Sequence, residues 1–190
     1  MHPDESERRP TGVFCLRSGD QPPDWYLEQV HALGATDWAP AGQVDDDTWG
    51  EEAATAIVAQ TGGEPVHLLA SGPAVPRALQ LAVRRPDLVI SVLASDPAVD
   101  EDDPAYWELL RRVQAPTLVL VAAPLRDSDT SQAQTVAGGI DNGVMVIVDG
   151  SSAPVHRQAP HSFNEWVTAF MSIAEGLRTL TTSHREESHA

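Results

Sequence analysis

Short runs of β-branched and apolar residues alternate along this chain with longer stretches whose apolar positions recur at helical spacing. The first run, residues 12–17, is followed by a helix-compatible stretch at 23–33, a second short run at 37–43 and a helix pattern over 48–61. Strand patterns then fall at 66–70, 89–95, 117–122 and 144–148, separated by helix patterns at 75–85, 104–113 and 131–138 and followed by a last helix over 162–180. Runs such as TLVLVA and VMVIV have no polar alternation, so both faces of these strands must be covered. Strand and helix in repeated alternation predict an α/β fold with a mostly parallel sheet. One domain is expected over 11–180, with the polar, aperiodic ends 1–10 and 181–190 read as flexible tails.

Composition narrows the function classes. The 190 residues suffice for one sizeable core, and 42% apolar with 21% charged residues is ordinary for a globular protein. No apolar run approaches the roughly 20 residues of a membrane-spanning helix, and the start MHPDESERRP lacks the apolar stretch of a secretory signal, so a cytoplasmic location is expected. A formal net charge of −16 repels phosphate backbones and anionic lipid surfaces, which argues against nucleic-acid and membrane partners. All 12 basic residues are arginine, which reads as the composition of a GC-rich bacterial genome and excludes a lysine Schiff base. Cys15 is the only cysteine, so neither a disulfide framework nor a multi-thiolate metal site is possible, and its place in an apolar run predicts a packed, inert thiol. The acidic runs 45–47, with Glu51 and Glu52, and 100–103 lack the ligand spacing and turn glycine of a calcium loop. They are read as solvated loops that place negative charge near helix starts, and neither a metal nor a cofactor is expected.

Ligands of open parallel sheets bind outside the carboxyl ends of the strands, which directs attention to the loops at 17–22, 43–48, 71–74, 95–103, 123–130 and 149–159. One of these follows EPVHLLASGPAVPRALQLAVRRPDLV, a buried strand, a sharp Gly/Pro turn and a helix. This segment resembles the strand, G-x-S-x-G turn and helix of the α/β-hydrolase superfamily, with Ala70, Ser71, Gly72, Pro73 and Ala74 in the five motif positions. RRPDLV with ASDPA, APTLVLVAAPLRDSD, and VMVIVDGSSAPVHRQAPHSFNEWVTAFM resemble the later strands, the acid loop and the histidine loop of the same family. The resemblance covers about residues 12–171 and implies a reduced three-layer sandwich of about six mostly parallel strands flanked by helices. Only about 20 residues join the strands at 89–95 and 117–122, so no cap domain is expected.

The family's catalytic positions are occupied unusually. Glycine stands in the nucleophile slot, and Pro73 has no N–H to give the oxyanion hole, a loss of roughly 2.7–4 kcal/mol of transition-state stabilisation in acyl-transfer sites. Arg17, Ser18 and Gly19 stand near the family's His-Gly pair, which would supply the second donor. Pro160 and Phe163 fit the opening of the last helix, and counting back places Ser152 and Ala153 where the Gly-His pair belongs. Pro124 or Leu125 takes the acid slot, leaving Asp127 slightly beyond it, or Asp96, as substitutes.

The remaining catalytic candidates are weak ones. Ser71 is expected to point sideways into the protein, Asp127 to lie past the acid position, and His156 to be an exposed loop histidine unless it reaches back across the pocket mouth. His67 is read as a hydrogen-bonded interior or interface side chain. Trp25 and Trp166 are assigned to core faces, and Trp38, Trp49 and Trp107 to loops near a pocket or subunit contact.

The resemblance therefore implies a catalytically degenerate α/β-hydrolase-like protein, with conventional serine hydrolysis not expected. Its vestigial site of Arg17, Ser18, Gly19, Ser71, Gly72, Pro73, Asp96, Asp127, Ser152, Ala153 and His156 would bind a small apolar molecule or a protein partner. The alternative is a non-hydrolytic or atypical enzyme on the same scaffold, such as a cyclase or dehydratase of bacterial secondary metabolism, using Arg17, Ser71, Asp96, Asp127, Ser152 and His156 as polar groups. A homo-oligomer built through the sheet edge or the tryptophan-bearing loops is a third reading.

Overall fold

The computed structural model describes residues 12–100 and 102–187, the last seven as backbone only, so the expected N-terminal tail lies outside the described residues. Six parallel strands, β1 (Val13–Leu16), β2 (Thr36–Trp38), β3 (Val66–Ser71), β4 (Val89–Ser95), β5 (Thr117–Ala123) and β6 (Gly143–Asp149), form one sheet in the order β2-β1-β3-β4-β5-β6. Every residue of β1, β3, β4 and β5 is buried, as unbroken apolar runs require when helices cover both faces. Helices α2 (Asp46–Thr61), α3 (Val75–Arg84), α4 (Pro104–Arg112) and α5 (Ser131–Gly139) contribute to one core with Phe14, Leu16, Leu68 and Trp49. Helices α1 (Leu27–Leu33), α6 (Val155–Gln158) and α7 (Pro160–Glu187) cover the other face, where Cys15, Leu69 and Leu93 meet Phe163, Val167 and Phe170. Alternate residues of β1 thus serve opposite cores.

Several local features depart from the sequence reading for identifiable reasons. The strand expected over 37–43 is only three residues long; Pro40 follows it and offers no N–H for a ladder. Helix α2 begins at Asp46 because Asp45 caps it, its Oδ1 accepting from the Thr48 N–H at 2.8 Å. The acidic run therefore starts a helix, and Asp46 and Asp47 clamp α2 to α3 through Arg77 and Arg84. Helix α7 continues to Glu187, through part of the segment read as a C-terminal tail. Trp49 is fully buried, whereas Trp166, expected in the core, is 48% exposed.

Cys15 is buried, and desolvation pushes its thiol up from the ordinary range. The β4–β5 connection contains only α4, with no cap domain among the described residues. No described helix is long and apolar enough to cross a membrane. The chain leaves β1 for β2 on one side and β3 for β4 on the other, so the crevice of this sheet opens at the carboxyl ends of β1 and β3.

Candidate active site

At that crevice β3 ends on Ser71, and a tight turn over Gly72–Ala74 feeds directly into α3. Gly72 has φ +56°, a left-handed conformation that strains any residue with a side chain, although a Cβ there would meet nothing within 4 Å. The turn therefore carries its left-handed backbone at a residue with no side chain. Pro73 occupies the start of the turn, where its missing N–H costs the helix nothing. Ser71 is buried, with its carbonyl facing the loop that follows β1.

Gln21 fills the space between those two strand ends. Its Oε1 accepts from the Ser18 N–H at 3.0 Å, and its Nε2 donates to the Ser71 carbonyl at 3.1 Å. A carboxamide oxygen therefore sits on a backbone N–H of the loop expected to supply the second oxyanion donor. Arg17 holds this arrangement in place: its Nε donates to both oxygens of Asp37 at 2.9 and 3.0 Å, and its Nη1 to the Gln21 carbonyl at 3.1 Å. Arg17 is thus a bracket between β1, β2 and the Gln21 loop.

His156 lies on α6 and is completely buried, correcting the expectation of an exposed loop histidine. It is packed among Trp25, Tyr26 and Phe163, with ring centroids 5.3, 4.9 and 6.0 Å away. Its Nε2 lies 3.2 Å from the Trp25 carbonyl, which can only accept, so this nitrogen carries the proton of the neutral ring. Gln29 of α1 donates to the His156 carbonyl at 2.9 Å and to Asn164 Oδ1 at 3.2 Å, fastening α6 between α1 and α7. Burial outweighs the bond to Trp25 and pushes the His156 pKa down from 6.5 to about 4, so the ring is neutral at pH 7.

Its Nδ1 lies 3.3 Å from Ser95 Oγ, whose hydroxyl donates to Asp96 Oδ2 at 2.9 Å. This order differs from that of a hydrolytic triad, where the histidine stands between acid and serine. Here the serine is in the middle and has no exposed surface. Asp96 has φ +45°, and its carboxylate also accepts from the backbone N–H groups of Ala122 at 2.8 Å and Val155 at 2.7 Å. It ties the end of β4 to β5 and to the first turn of α6.

The sequence matches no protein-family model and no curated protein. Its backbone is similar to that of a serine hydrolase involved in carbazole degradation, with a TM-score of 0.73 and 14% identity over 86% of this chain and 91% of that one. A thermophilic esterase from Thermogutta terrifontis aligns at a TM-score of 0.70 and 11% identity, covering 86% of this chain and 90% of the esterase. A membrane phospholipase A described as a bacterial virulence factor aligns at 0.70 and 16%, covering 90% of this chain and 81% of that one. The chain has the α/β-hydrolase fold.

Within the α/β-hydrolase fold, the residues singled out from the sequence separate into three groups. Ser71, Asp96 and His156 are largely enclosed, and Arg17 is bound to Asp37. Asp127, Ser152 and Ala153 are exposed on the loops after β5 and β6. Ser18, Gly19 and Pro73 line an open groove of about 660 Å³ together with Pro40, Val44, Asp20, Gln43 and Arg77. Ser18 Oγ is buried in this wall without a hydrogen-bond partner among the described residues. Among the described residues no three His, Cys, Asp or Glu side chains are placed to hold a metal ion.

Gln21, Ser95 and Gln29 were not singled out in the sequence. Each is an ordinary polar residue in a loop, strand end or helix, and no motif marks it. The strand order brings Gln21 and Ser95 to the carboxyl ends of the strands, and Gln29 reaches His156 and Asn164 from α1.

Proposed function

We propose that this protein is a non-hydrolytic member of the α/β-hydrolase fold that binds a small molecule in the groove between Pro73 and the loops after β1 and β2. The observation that carries this reading is Gln21, whose carboxamide bridges the Ser18 N–H and the Ser71 carbonyl beside a proline at the other donor position. An acyl substrate would have to displace that side chain, would then find one donor where two are used, and would meet no nucleophile at Gly72. The groove volume falls within the roughly 300–1,000 Å³ of small-molecule sites. Its wall mixes Pro40, Val44 and Pro73 with Ser18, Asp20, Gln43 and Arg77, which fits a ligand with an apolar body and a few polar groups better than a wholly apolar one.

A non-hydrolytic enzyme finds less support, because Arg17, Asp96 and His156 are committed to structural bonds and Ser71 is buried. The test is treatment of the folded protein with a serine-directed fluorophosphonate, followed by intact mass, alongside assays on activated esters. Neither labelling nor turnover above buffer is expected, and stoichiometric phosphonylation of any serine would overturn the proposal. For the groove, a fragment screen by ligand-detected NMR should yield binders that Gly19→Tyr, whose Cβ would face the Gly42 carbonyl at 3.7 Å and Pro40 at 3.9 Å across the groove, weakens at least tenfold. Binders indifferent to that substitution would place the site elsewhere.

A further inference from the structure

The groove holds charges of both signs that are not paired with each other. Asp20, on the loop after β1, and Arg77, on α3, both line it, yet no ion pair joins them. The carboxylate bound to Arg77 is that of Asp46 in the first turn of α2, which accepts from Nε at 2.8 Å. The guanidinium carbon also lies 5.8 Å from the ring centroid of Trp49. Trp49 is itself fully buried and packs edge-on against Trp38, with centroids 5.4 Å apart.

These contacts orient the guanidinium without using it up. Its two terminal nitrogens have no hydrogen-bond partner among the described residues, and the side chain is 27% exposed. An arginine held at Nε and stacked on an aromatic ring presents its remaining N–H donors as a fixed fork, the shape that receives a carboxylate on two bonds. Asp20 is exposed, and its carboxylate enters no hydrogen bond or ion pair among the described residues. A purely anionic ligand would reach Arg77 against the field of a chain with net charge −16 and against Asp20 itself. A ligand that also brings a cationic group to Asp20 offsets that repulsion. Pro40, Val44 and Pro73 supply apolar wall beside both charges.

We infer that the groove takes a small zwitterion with an apolar body, an apolar amino acid or a short apolar peptide. Its carboxylate meets the free edge of Arg77, its ammonium meets Asp20, and its apolar side chain lies against Pro40, Val44 and Pro73. This assignment rests on the groove being the binding site, and it adds the charge pattern of what binds there.

Phenylalanine and the dipeptide Leu-Phe are titrated into the full chain by ligand-detected NMR. Beside them are run phenylalaninamide, which lacks the carboxylate, and hydrocinnamate, which lacks the amine. At least one zwitterion should bind roughly tenfold or more tightly than either analogue, the factor expected when one charge-assisted contact is removed. Arg77→Gln should cost phenylalanine that factor and leave phenylalaninamide unchanged, whereas Asp20→Asn should cost phenylalanine the same and spare hydrocinnamate. Asp20 has no hydrogen bond or ion pair to lose, so its variant tests the groove even where Arg77→Gln loosens α3 from α2. Binders blocked by Gly19→Tyr that show no preference for a zwitterion overturn the inference and leave the groove as a binding site. Zwitterion binding that survives both charge substitutions also overturns it. If no fragment of any charge binds in the groove, both readings fail.

Discussion

Asp96→Ala is expected to lower the unfolding free energy by about 3–5 kcal/mol, a large fraction of what holds a domain of this size together. One carboxylate accepts from Ala122 N–H, Val155 N–H and Ser95 Oγ, at 2.8, 2.7 and 2.9 Å. Hydrogen bonds to charged groups contribute about 1.5–3 kcal/mol each, and losing the acceptor leaves two backbone donors to find water at a partly covered site. Alanine also tolerates the φ of +45° poorly, at a cost of roughly 1–2 kcal/mol, whereas asparagine visits that region readily. Asp96→Asn retains one acceptor oxygen and should lose only about 1–2 kcal/mol. Urea unfolding at pH 7 distinguishes the two, provided the slope with denaturant is unchanged. An alanine variant within about 1 kcal/mol of wild type would mean that Asp96 does not tie β4 to β5 and α6, and would restore it as a candidate acid.

Acidification is expected to destabilise the protein through His156. The unfolded chain protonates this histidine near 6.5, while burial holds the folded value at about 4, so the unfolded state binds more protons across that interval. Stability contributed by the neutral ring is fully present above pH 6.5 and is lost as pH falls toward 4. The gap corresponds to about 3 kcal/mol, at about 1.4 kcal/mol per pH unit. Burial also lowers His67, which adds to the slope in the same direction. His156→Gln, which keeps a polar side chain among Trp25, Tyr26 and Phe163, should be less stable at pH 7.5 yet flatten the dependence between pH 6.5 and 4. An unchanged slope would show that the ring is not buried neutral, and a histidine able to protonate near pH 6.5 would again be available for acid–base chemistry.

The fold was legible because burial dictates pattern. Central strands covered on both faces must be continuously apolar, and LVLVA in β5 can be little else; the helix beginning at Pro104 behind the capping Asp103 was placed likewise, whereas the cap at Asp45 was read as loop. The elbow at Gly72 was legible for a similar reason, since a left-handed turn between strand and helix needs glycine or strain. Side chains that act across long sequence distances were not. His156 was read as exposed because it sits in a polar loop segment, and nothing in SSAPVHRQAP shows that Trp25, Tyr26 and Phe163 enclose it. Gln21 could not be assigned to the donor of Ser18 without knowing that the end of β3 lies beside it. Trp166 was misplaced for the opposite reason: helix periodicity identifies an apolar face but cannot say which of two faces on α7 meets the sheet.

In the function proposed, Gln21 and Pro73 oppose acyl transfer as much as the missing side chain at Gly72 does, so returning a nucleophile alone is not expected to produce a hydrolase. Gly72→Ser tests this most directly, because a Cβ at that position meets no atom within 4 Å and the turn already has the required shape. After incubation with a fluorophosphonate, the intact mass of the folded variant should remain unmodified, and turnover of an activated ester should match the wild-type protein. Stoichiometric phosphonylation of the introduced serine, or saturable ester turnover, would contradict the account.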